Sequence, residues 1–439
     1  MTAAIDFHNN ASCAPTFIDV FAGCGGLSLG LMQAGWNGIF AIEQDHNAFQ
    51  TLKKNLTGQD SKYRYSWPNW IPQTPHNIYN ILDEGRPLLE RLAGNIDMLV
   101  GGPPCQGFSS AGKRNSNDPR NKLVEAYVDL VKIISPKLVL IENVRGITSS
   151  FKDSETAEKI NYSDIIISEL SKNYIVDSKV LDLTTFGVPQ NRFRFFIIAI
   201  RKDITCTEPP FEKIESLRES FLSKKMLSVP VSAKSAISDF ETEHSGTRDS
   251  RDSKGFKEIG YKGPRTRYQK LMNAGETLPS NTRLANHKAD IKARFKELIA
   301  ICNEDGRLNV SLSQALREKF NLKKKALRVM DPLSPSPTIT SMPDDLIHYL
   351  EARTLTVREN ARLQSFPDWY DFQGKYTSGG DRRKREIPRF TQVANAVPPL
   401  AAEAIGMGLK ELVESAFIYA PCLDQAKPQN THETLTALP

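Results

Sequence analysis

Short apolar runs and helically spaced apolar positions alternate over the first 200 residues. TFIDVF (Thr16–Phe21) is an apolar run ending in glycines, which reads as a buried strand. Leu27, Leu31 and Ala34 follow at helical spacing, and Gly35 stops that helix. GIFAIE (Gly38–Glu43) predicts a second strand, followed by a helix near His46–Asn55. IDMLVGG (Ile96–Gly102) and KLVLIEN (Lys137–Asn143) predict two more buried strands, each leading into a polar loop, with a helix over Leu123–Ile134 between them. A helix is expected at Ile165–Leu170, and strands at Tyr174–Asp182 and Phe193–Ile200 flank a turn at Gly187-Val188-Pro189. Strands alternating with helices predict an α/β fold with a mostly parallel sheet. The late pair of consecutive strands predicts an antiparallel edge.

The pattern changes after residue 203. Residues 204–335 are more polar and weak in strand signal, which predicts a second, smaller domain. Helical spacing returns in LTVRENARLQ (Leu355–Gln364) and PLAAEAIGMGLKELV (Pro399–Val413), with Pro399 suited to a first helical turn. The expected division is 14–203 and 336–416 as one body, 204–335 as the other, and 417–439 as a frayed tail.

Charge sharpens this division. The whole chain carries only +6, but residues 251–330 hold 19 Lys or Arg against 8 Asp or Glu. That local excess of 11 leaves the remainder about five net negative, an asymmetry that suits a polyanion such as nucleic acid. A solvated helical surface would give the same count. With 40% hydrophobic and 25% charged residues the chain can bury a core, which excludes a wholly disordered protein. No run approaches the ~18–20 apolar residues of a membrane span. The opening MTAAIDFHNN lacks the basic start and apolar stretch of a secretory signal. The six cysteines contain no CxxC and the seven histidines no HExxH, so neither a disulfide framework nor a metal site is expected. A reducing, cytoplasmic setting fits.

Four segments carry chemistry. DVFAGCGGLSLG (Asp19–Gly30) joins a strand to a helix through glycines, a corner where backbone amides can approach a ligand. It is neither GxGxxG nor a P-loop, and a tight structural turn would look similar. Glu43 ends the next strand, where a carboxylate can accept ribose hydroxyls. GGPPCQGFS (Gly101–Ser109) places Cys105 just past a strand, behind two prolines that fix the local backbone. A free thiol is only ~3% ionised at pH 7, so a nucleophilic cysteine needs help. Glu142 falls at the end of the following strand, on the same rim. A thiol and a carboxylic acid together suit covalent addition to an electron-poor ring, the acid engaging a ring nitrogen. In QNRFRF, Arg192 and Arg194 alternate on a strand and share a face, suiting a phosphate, a polarised carbonyl or a surface ion pair.

Taken together these segments resemble the DNA (cytosine-5) methyltransferase family of bacterial or phage type. FIDVFAGCGGLSLG, GGPPCQGFS, IENV, QNRFRF, LTVRENARLQSFPD and QVANAVPP stand in the family's order from Phe17 to about Ile405. The resemblance implies a Rossmann-like S-adenosylmethionine-dependent methyltransferase domain plus a smaller target-recognition domain, with the C-terminal helix folding back beside the first strand. It implies S-adenosylmethionine as cofactor, S-adenosylhomocysteine as product and no metal. The cofactor would lie against Phe21, Gly23, Cys24, Gly25, Gly26, Ile78, Pro104, Asn395 and Val397, with Glu43 on its ribose.

The resemblance also implies roles at the reacting base. Cys105 would attack carbon-6 of cytosine, Glu142 would engage nitrogen-3, and Arg192 and Arg194 would position the flipped nucleotide and the Cys105 loop. The base must leave the stack, methyltransferases being standard examples of base flipping. Two positions depart from the family pattern. Asn77 stands where an adenine-contacting Asp is usual, with Asp83 a weaker substitute, and Ala394 stands where Gly is commoner in the last block.

The basic segment then falls where the family keeps its target-recognition region. Gln106, Ser109, Lys262, Arg265, Arg267, Lys323, Lys324, Lys325 and Arg328 are the expected contacts to double-stranded DNA. Phosphate contacts position without specifying sequence. The expected role is methylation of one cytosine in a specific duplex sequence, as a solitary enzyme or beside a restriction endonuclease acting separately, by a monomer. The related branch acting on tRNA has a shorter recognition region. A non-catalytic DNA-binding relative would not need Cys105, Glu142 and Arg194 together.

Overall fold

The computed structural model of the chain describes residues 14–104, 121–148, 151–152, 159–206, 208–275, 277–377 and 386–416. The expected tail at 417–439 lies outside them. Strand β1 (Thr16–Val20) leads through the glycine turn into α1 (Gly26–Gln33), then β2 (Asn37–Ile42) and α2 (His46–Leu56). Helix α2 starts where it does because the Asp45 side chain accepts from the Ala48 amide, and Lys53 and Lys54 complement the dipole at its other end. Next come α3 (Ile78–Glu84), β3 (Met98–Gly101), α4 (Asn121–Ile134), β4 (Leu138–Val144), α5 (Tyr162–Leu170), β5 (Tyr174–Asp182) and β6 (Phe193–Arg201).

These six strands form one sheet in the order β2-β1-β3-β4-β6-β5. The first four are mutually parallel, as the alternation of strands and helices predicts. The antiparallel strand is β6, one place in from the edge, and β5 outside it runs antiparallel to β6 in turn. Both sheet faces are covered. Phe17, Met98, Val100 and Leu140 face one apolar layer, while Ile18, Val20, Leu99, Val139 and Ile141 face the other. Burial on both faces is why these strands read as near-continuous apolar runs.

Beyond the sheet lie α6 (Pro210–Ser216) and α7 (Arg218–Lys225). They are followed by a hairpin of β7 (Thr247–Asp249) and β8 (Lys257–Ile259), then α8 (Arg267–Met272) and α9 (Ala289–Glu304). Short strands β9 (Arg328–Val329) and β10 (Leu346–Ile347) pair in parallel. The chain then forms α10 (Val357–Leu363), α11 (Arg389–Asn395) and α12 (Pro399–Ala416). A small separate core of Phe295, Leu298, Cys302, Leu312, Leu327, Val329 and Ile347 sits around α9.

Packing does not break at residue 203. Phe211, Ile214, Phe221 and Leu222 of α6 and α7 join the core of the sheet domain, and Ile214 lies against Gly408 of α12. Helix α12 folds back against α1, and a Cβ at Gly30 would fall 2.4 Å from the Ala402 Cβ and 2.5 Å from the Pro399 carbonyl. The last glycine of the Asp19–Gly30 segment is therefore a site of close helix–helix approach.

Candidate active site

Strand register assembles the site. Val20 pairs with Ile42 on one side and Gly101 on the other, and Gly101 pairs with Ile141. The next residue of each strand emerges at one level, which brings Glu43, Phe21, Gly102 and Glu142 to the carboxyl edge of the parallel sheet. Open α/β sheets bind ligands at this edge.

At one end of this row stands Glu142. It is buried, with Oε1 2.9 Å from Arg194 Nε. Arg194 lies on β6 opposite Val144, so antiparallel pairing brings it back to the rim. A Cβ on Gly102 would lie 3.2 Å from Glu142 Oε2, and the Asn143 side chain donates through Nδ2 to the Pro103 carbonyl at 3.1 Å. The Gly102–Pro103–Pro104 turn is thereby pinned against the acid. Cys105 follows directly in sequence but lies outside the described residues, as do Gln106 and Ser109.

Arg192 is oriented differently from Arg194. It is fully buried and donates through Nη2 to the carbonyls of Ala394 and Ala396, at 2.9 and 3.1 Å. Burial and the nearby Arg194 pull its pKa well below the usual arginine value. The side chain thus ties the QNRFRF and QVANAVPP segments together. Gln190 adds to this junction, donating to Gln364 at 2.5 Å and accepting from the Ile339 amide at 3.0 Å.

The other end of the row is open beside Phe21 and Gly23. Phe21 holds a left-handed backbone (φ 61°), rare for an aromatic residue, and is only partly buried. Gly23 is also left-handed (φ 56°), and its missing side chain points into open space. Glu43 is oriented by two backbone donors, Gly23 at 2.9 Å and Asp45 at 2.7 Å. Burial raises its pKa, although these amides oppose the effect. Gly25 and Gly26 face the protein itself: added Cβ atoms would lie 2.8 Å from the Tyr370 hydroxyl and 2.4 Å from the Val397 carbonyl. The Cys24 side chain is buried against the Gln392 carbonyl, so that residue offers only backbone to a ligand.

The His76 amide donates to the Glu43 carbonyl, which carries Asn77 to the end of β2. There Asn77 caps α3 by accepting from the Tyr79 amide and lies 3.4 Å from Gln44. Ile78 is buried behind it, whereas Asp83 lies further along α3 and is exposed. Pro104 is partly buried, Val397 is buried beside α1, and Asn395 is exposed at the end of α11.

Beneath the loop lies a network that the sequence reading did not single out. Asp19 accepts from the Ser28 hydroxyl, which in turn accepts from Tyr65 at 2.5 Å. Burial, with Glu43 nearby, pushes Asp19 up to about 7 against the hydrogen bond from Ser28. Tyr370 donates to the Cys24 carbonyl from far along the chain. A polar residue inside an apolar run was the only signal for Asp19, and nothing local pointed to Tyr370.

The expected DNA contacts divide by environment. Lys262, Arg267, Lys323 and Lys325 are exposed. Arg265 is exposed but lies 3.6 Å from Glu241. Lys324 is held between Asp344 and Asp345, at 2.6 and 2.7 Å. Arg328 is half-buried within β9. Among the described residues no group of three His, Cys, Asp or Glu side chains is placed to hold a metal, and no helix is long and apolar enough to cross a membrane.

Comparison with known proteins adds to this geometry. Residues 15–411 match the family model described as C-5 cytosine-specific DNA methylase. The Type II methyltransferase M.DdeI of Desulfomicrobium norvegicum is 35% identical over 402 residues, covering 88% of this chain and 86% of that protein. The Type II methyltransferase M1.HphI of Haemophilus parahaemolyticus is 31% identical over 397 residues, covering 89% and 85%. A solved structure described as a candidate DNA modification methyltransferase encoded within an E. coli prophage is 23% identical. It covers 91% of this chain and all of that one, with a TM-score of 0.61, a likeness of fold.

Proposed function

The chain belongs to the C-5 cytosine-specific DNA methylase family and is a DNA cytosine-5 methyltransferase, and from that premise we propose how its own residues act. The observation that carries the reading is Glu142, fixed by Arg194 at 2.9 Å and set against the turn that leads into Cys105.

The proposed substrate is a cytosine rotated out of duplex DNA. The Cys105 thiolate adds to carbon-6 of the ring. Glu142, as the carboxylic acid, donates its proton to nitrogen-3, which draws electron density from carbon-6, assists the addition and leaves carbon-5 nucleophilic. Arg194 keeps the Glu142 carboxyl in place and counters its charge in a setting where an unpaired carboxylate would be costly. After carbon-5 is methylated, a base takes its proton, the sulfur leaves carbon-6 as the thiolate and nitrogen-3 returns its proton to Glu142, which restores the aromatic ring. Arg192 holds the Ala394–Ala396 backbone rather than reaching into the site, so its proposed role is to position that segment.

S-adenosylmethionine is the proposed cofactor and supplies an electrophilic methyl group on sulfur when bound. The residues present suit it. Gly23 leaves an open approach to the backbone, Phe21 offers a ring held in a left-handed turn, and Glu43 keeps carboxylate lone pairs beyond those used by Gly23 and Asp45. Asn77 would contribute at the adenine end and Asn395 and Val397 at the opposite wall. The basic surface around Lys262, Arg267, Lys323 and Lys325 is the proposed phosphate-binding face. The relatives' names support a modification role in a type II restriction system.

Bisulfite sequencing of DNA from cells expressing the chain tests the proposal. Protected cytosines should recur within one short motif and disappear with Cys105→Ala. Complete conversion of every cytosine by bisulfite in the wild-type sample contradicts it.

A further inference from the structure

The tip of the β7–β8 hairpin, within the basic segment 251–330, is bonded to the chain segment that borders the cofactor edge. Asp252 Oδ2 accepts from Arg389 Nη1 and from the Tyr376 hydroxyl, each at 2.8 Å. The Arg283 guanidinium is sandwiched between Phe256 of the hairpin, 4.2 Å from its ring centre, and Tyr376, 3.7 Å from its ring centre. Arg389 covers Tyr376 at 4.2 Å. Burial raises the Asp252 carboxyl, but the bonds from Arg389 and Tyr376 outweigh it and hold the group below the usual range.

These contacts continue towards Glu43. Two residues before Arg389, the Ile387 amide donates to Asp45 Oδ2 at 3.2 Å. The Asp45 amide donates to Glu43 Oε1 at 2.7 Å. Arg389 also opens α11, which ends at Asn395 two residues before Val397. The hairpin tip itself presents Lys254 at the surface, beside exposed Arg251 and Lys257, which pair with Glu258 at 2.7 Å and Asp249 at 2.8 Å. A phosphate backbone held there would fix the tip, and fixing the tip fixes Asp252. Ordering by one ligand of a segment that a second ligand also needs gives positive cooperativity without a large structural change.

We infer that Asp252 is a positioning residue: through Arg389 and Tyr376 it couples duplex DNA on the β7–β8 hairpin to cofactor binding at the Glu43 edge. The inference rests on the cofactor placement proposed above and adds the hairpin tip to the proposed phosphate-binding face. Coupling of this kind is reciprocal, so it is measurable from the cofactor side alone.

The test is a calorimetric titration of S-adenosylhomocysteine into the full chain. It is run with and without a saturating duplex carrying the motif mapped by bisulfite sequencing. Wild type should bind S-adenosylhomocysteine about fivefold or more tightly with DNA present. Asp252→Asn should match the wild-type affinity without DNA but show a ratio close to one. Tyr376→Phe, which deletes only a hydroxyl, should show an intermediate ratio, and it answers the same question if Asp252→Asn fails to fold. A wild-type ratio near one overturns the inference, as does an unchanged ratio in either folded variant. Failure of the wild type to bind S-adenosylhomocysteine at all overturns the cofactor reading with it, which separates the two failures.

Discussion

Arg194 and Glu142 meet at 2.9 Å across adjacent antiparallel strands, with Glu142 buried and the Arg194 side chain only 13% exposed. Neither strand alone places them at the rim. The reversal of β6 returns Arg194 to the rim opposite Val144, two residues beyond Glu142. Breaking such a pair leaves an uncompensated charge out of water. Arg194→Ala should lower the unfolding free energy by about 3 kcal/mol in urea. Glu142→Gln should fold like wild type and lose about two to four orders of magnitude in methyl transfer, as expected when a general acid is removed. Near-wild-type turnover by Glu142→Gln would remove the acid from the mechanism.

Gly26 and Gly23 should fail in different ways. At Gly26 a Cβ would sit 2.4 Å from a carbonyl oxygen, so α1 must shift from the Val397 backbone. Gly26→Ala should cost about 1–3 kcal/mol of stability, the usual range for overpacking. At Gly23 there is open space but a left-handed backbone. Gly23→Ala should cost about 1–2 kcal/mol in backbone strain and, beyond that, weaken cofactor binding where the methyl group protrudes. Thermal unfolding and calorimetry on the two variants separate these effects.

Glu43→Ala should weaken cofactor affinity by roughly 10- to 100-fold, the loss expected for hydrogen bonds to a charged acceptor. DNA affinity without cofactor should stay within twofold of wild type. Equal cofactor affinity in variant and wild type, measured by calorimetry, would exclude Glu43 from the pocket.

Asp19 makes stability depend on pH in a defined direction. Its pKa rises from 3.8 to about 7 on folding, because burial disfavours the charged form. Between these values the unfolded chain has released the proton and the folded chain retains it. Raising the pH through this window therefore lowers stability, and the loss levels off above it. Asp19→Asn keeps an acceptor for Ser28 and carries no charge. Its stability should fall less than that of wild type between pH 4 and pH 8, by a few kcal/mol. Parallel stability–pH curves for the two proteins would contradict the shift. Glu43 and Glu403 shift in the same direction, so the comparison between proteins, not the slope itself, is diagnostic.

Much of this was legible before folding. The runs at Thr16, Gly38, Ile96, Lys137, Tyr174 and Phe193 lie within two residues of the observed strands; all but the largely exposed edge strand at Tyr174 are buried on both faces, which leaves continuous apolar text. Register then does the rest, since parallel neighbours of similar length bring Glu43, Phe21, Gly102 and Glu142 level. Partnerships between distant segments were not legible. Nothing near Arg192 announces that its guanidinium turns to carbonyls 202 and 204 residues away. Lys324 reads like its neighbours Lys323 and Lys325, yet Asp344 and Asp345 claim it. Arg362 sits in an ordinary helical pattern but is fully buried between Asp239 and Asp368, joining the polar region to the returning segment. Each of these depends on a fold-level encounter that local spacing does not encode.

The central claim is transient bonding of the Cys105 sulfur to the target cytosine, and a trapping experiment addresses it most directly. A duplex carrying 5-fluorocytosine in the target motif, mixed with protein and S-adenosylmethionine, should give a denaturant-resistant adduct. Its mass should equal protein plus methylated DNA, because fluorine cannot leave carbon-5 as a proton does. Peptide mapping should place the bond at Cys105, and Cys105→Ala should give none. An adduct of the same yield in Cys105→Ala, or methyl transfer by that variant at the wild-type rate, would contradict the account.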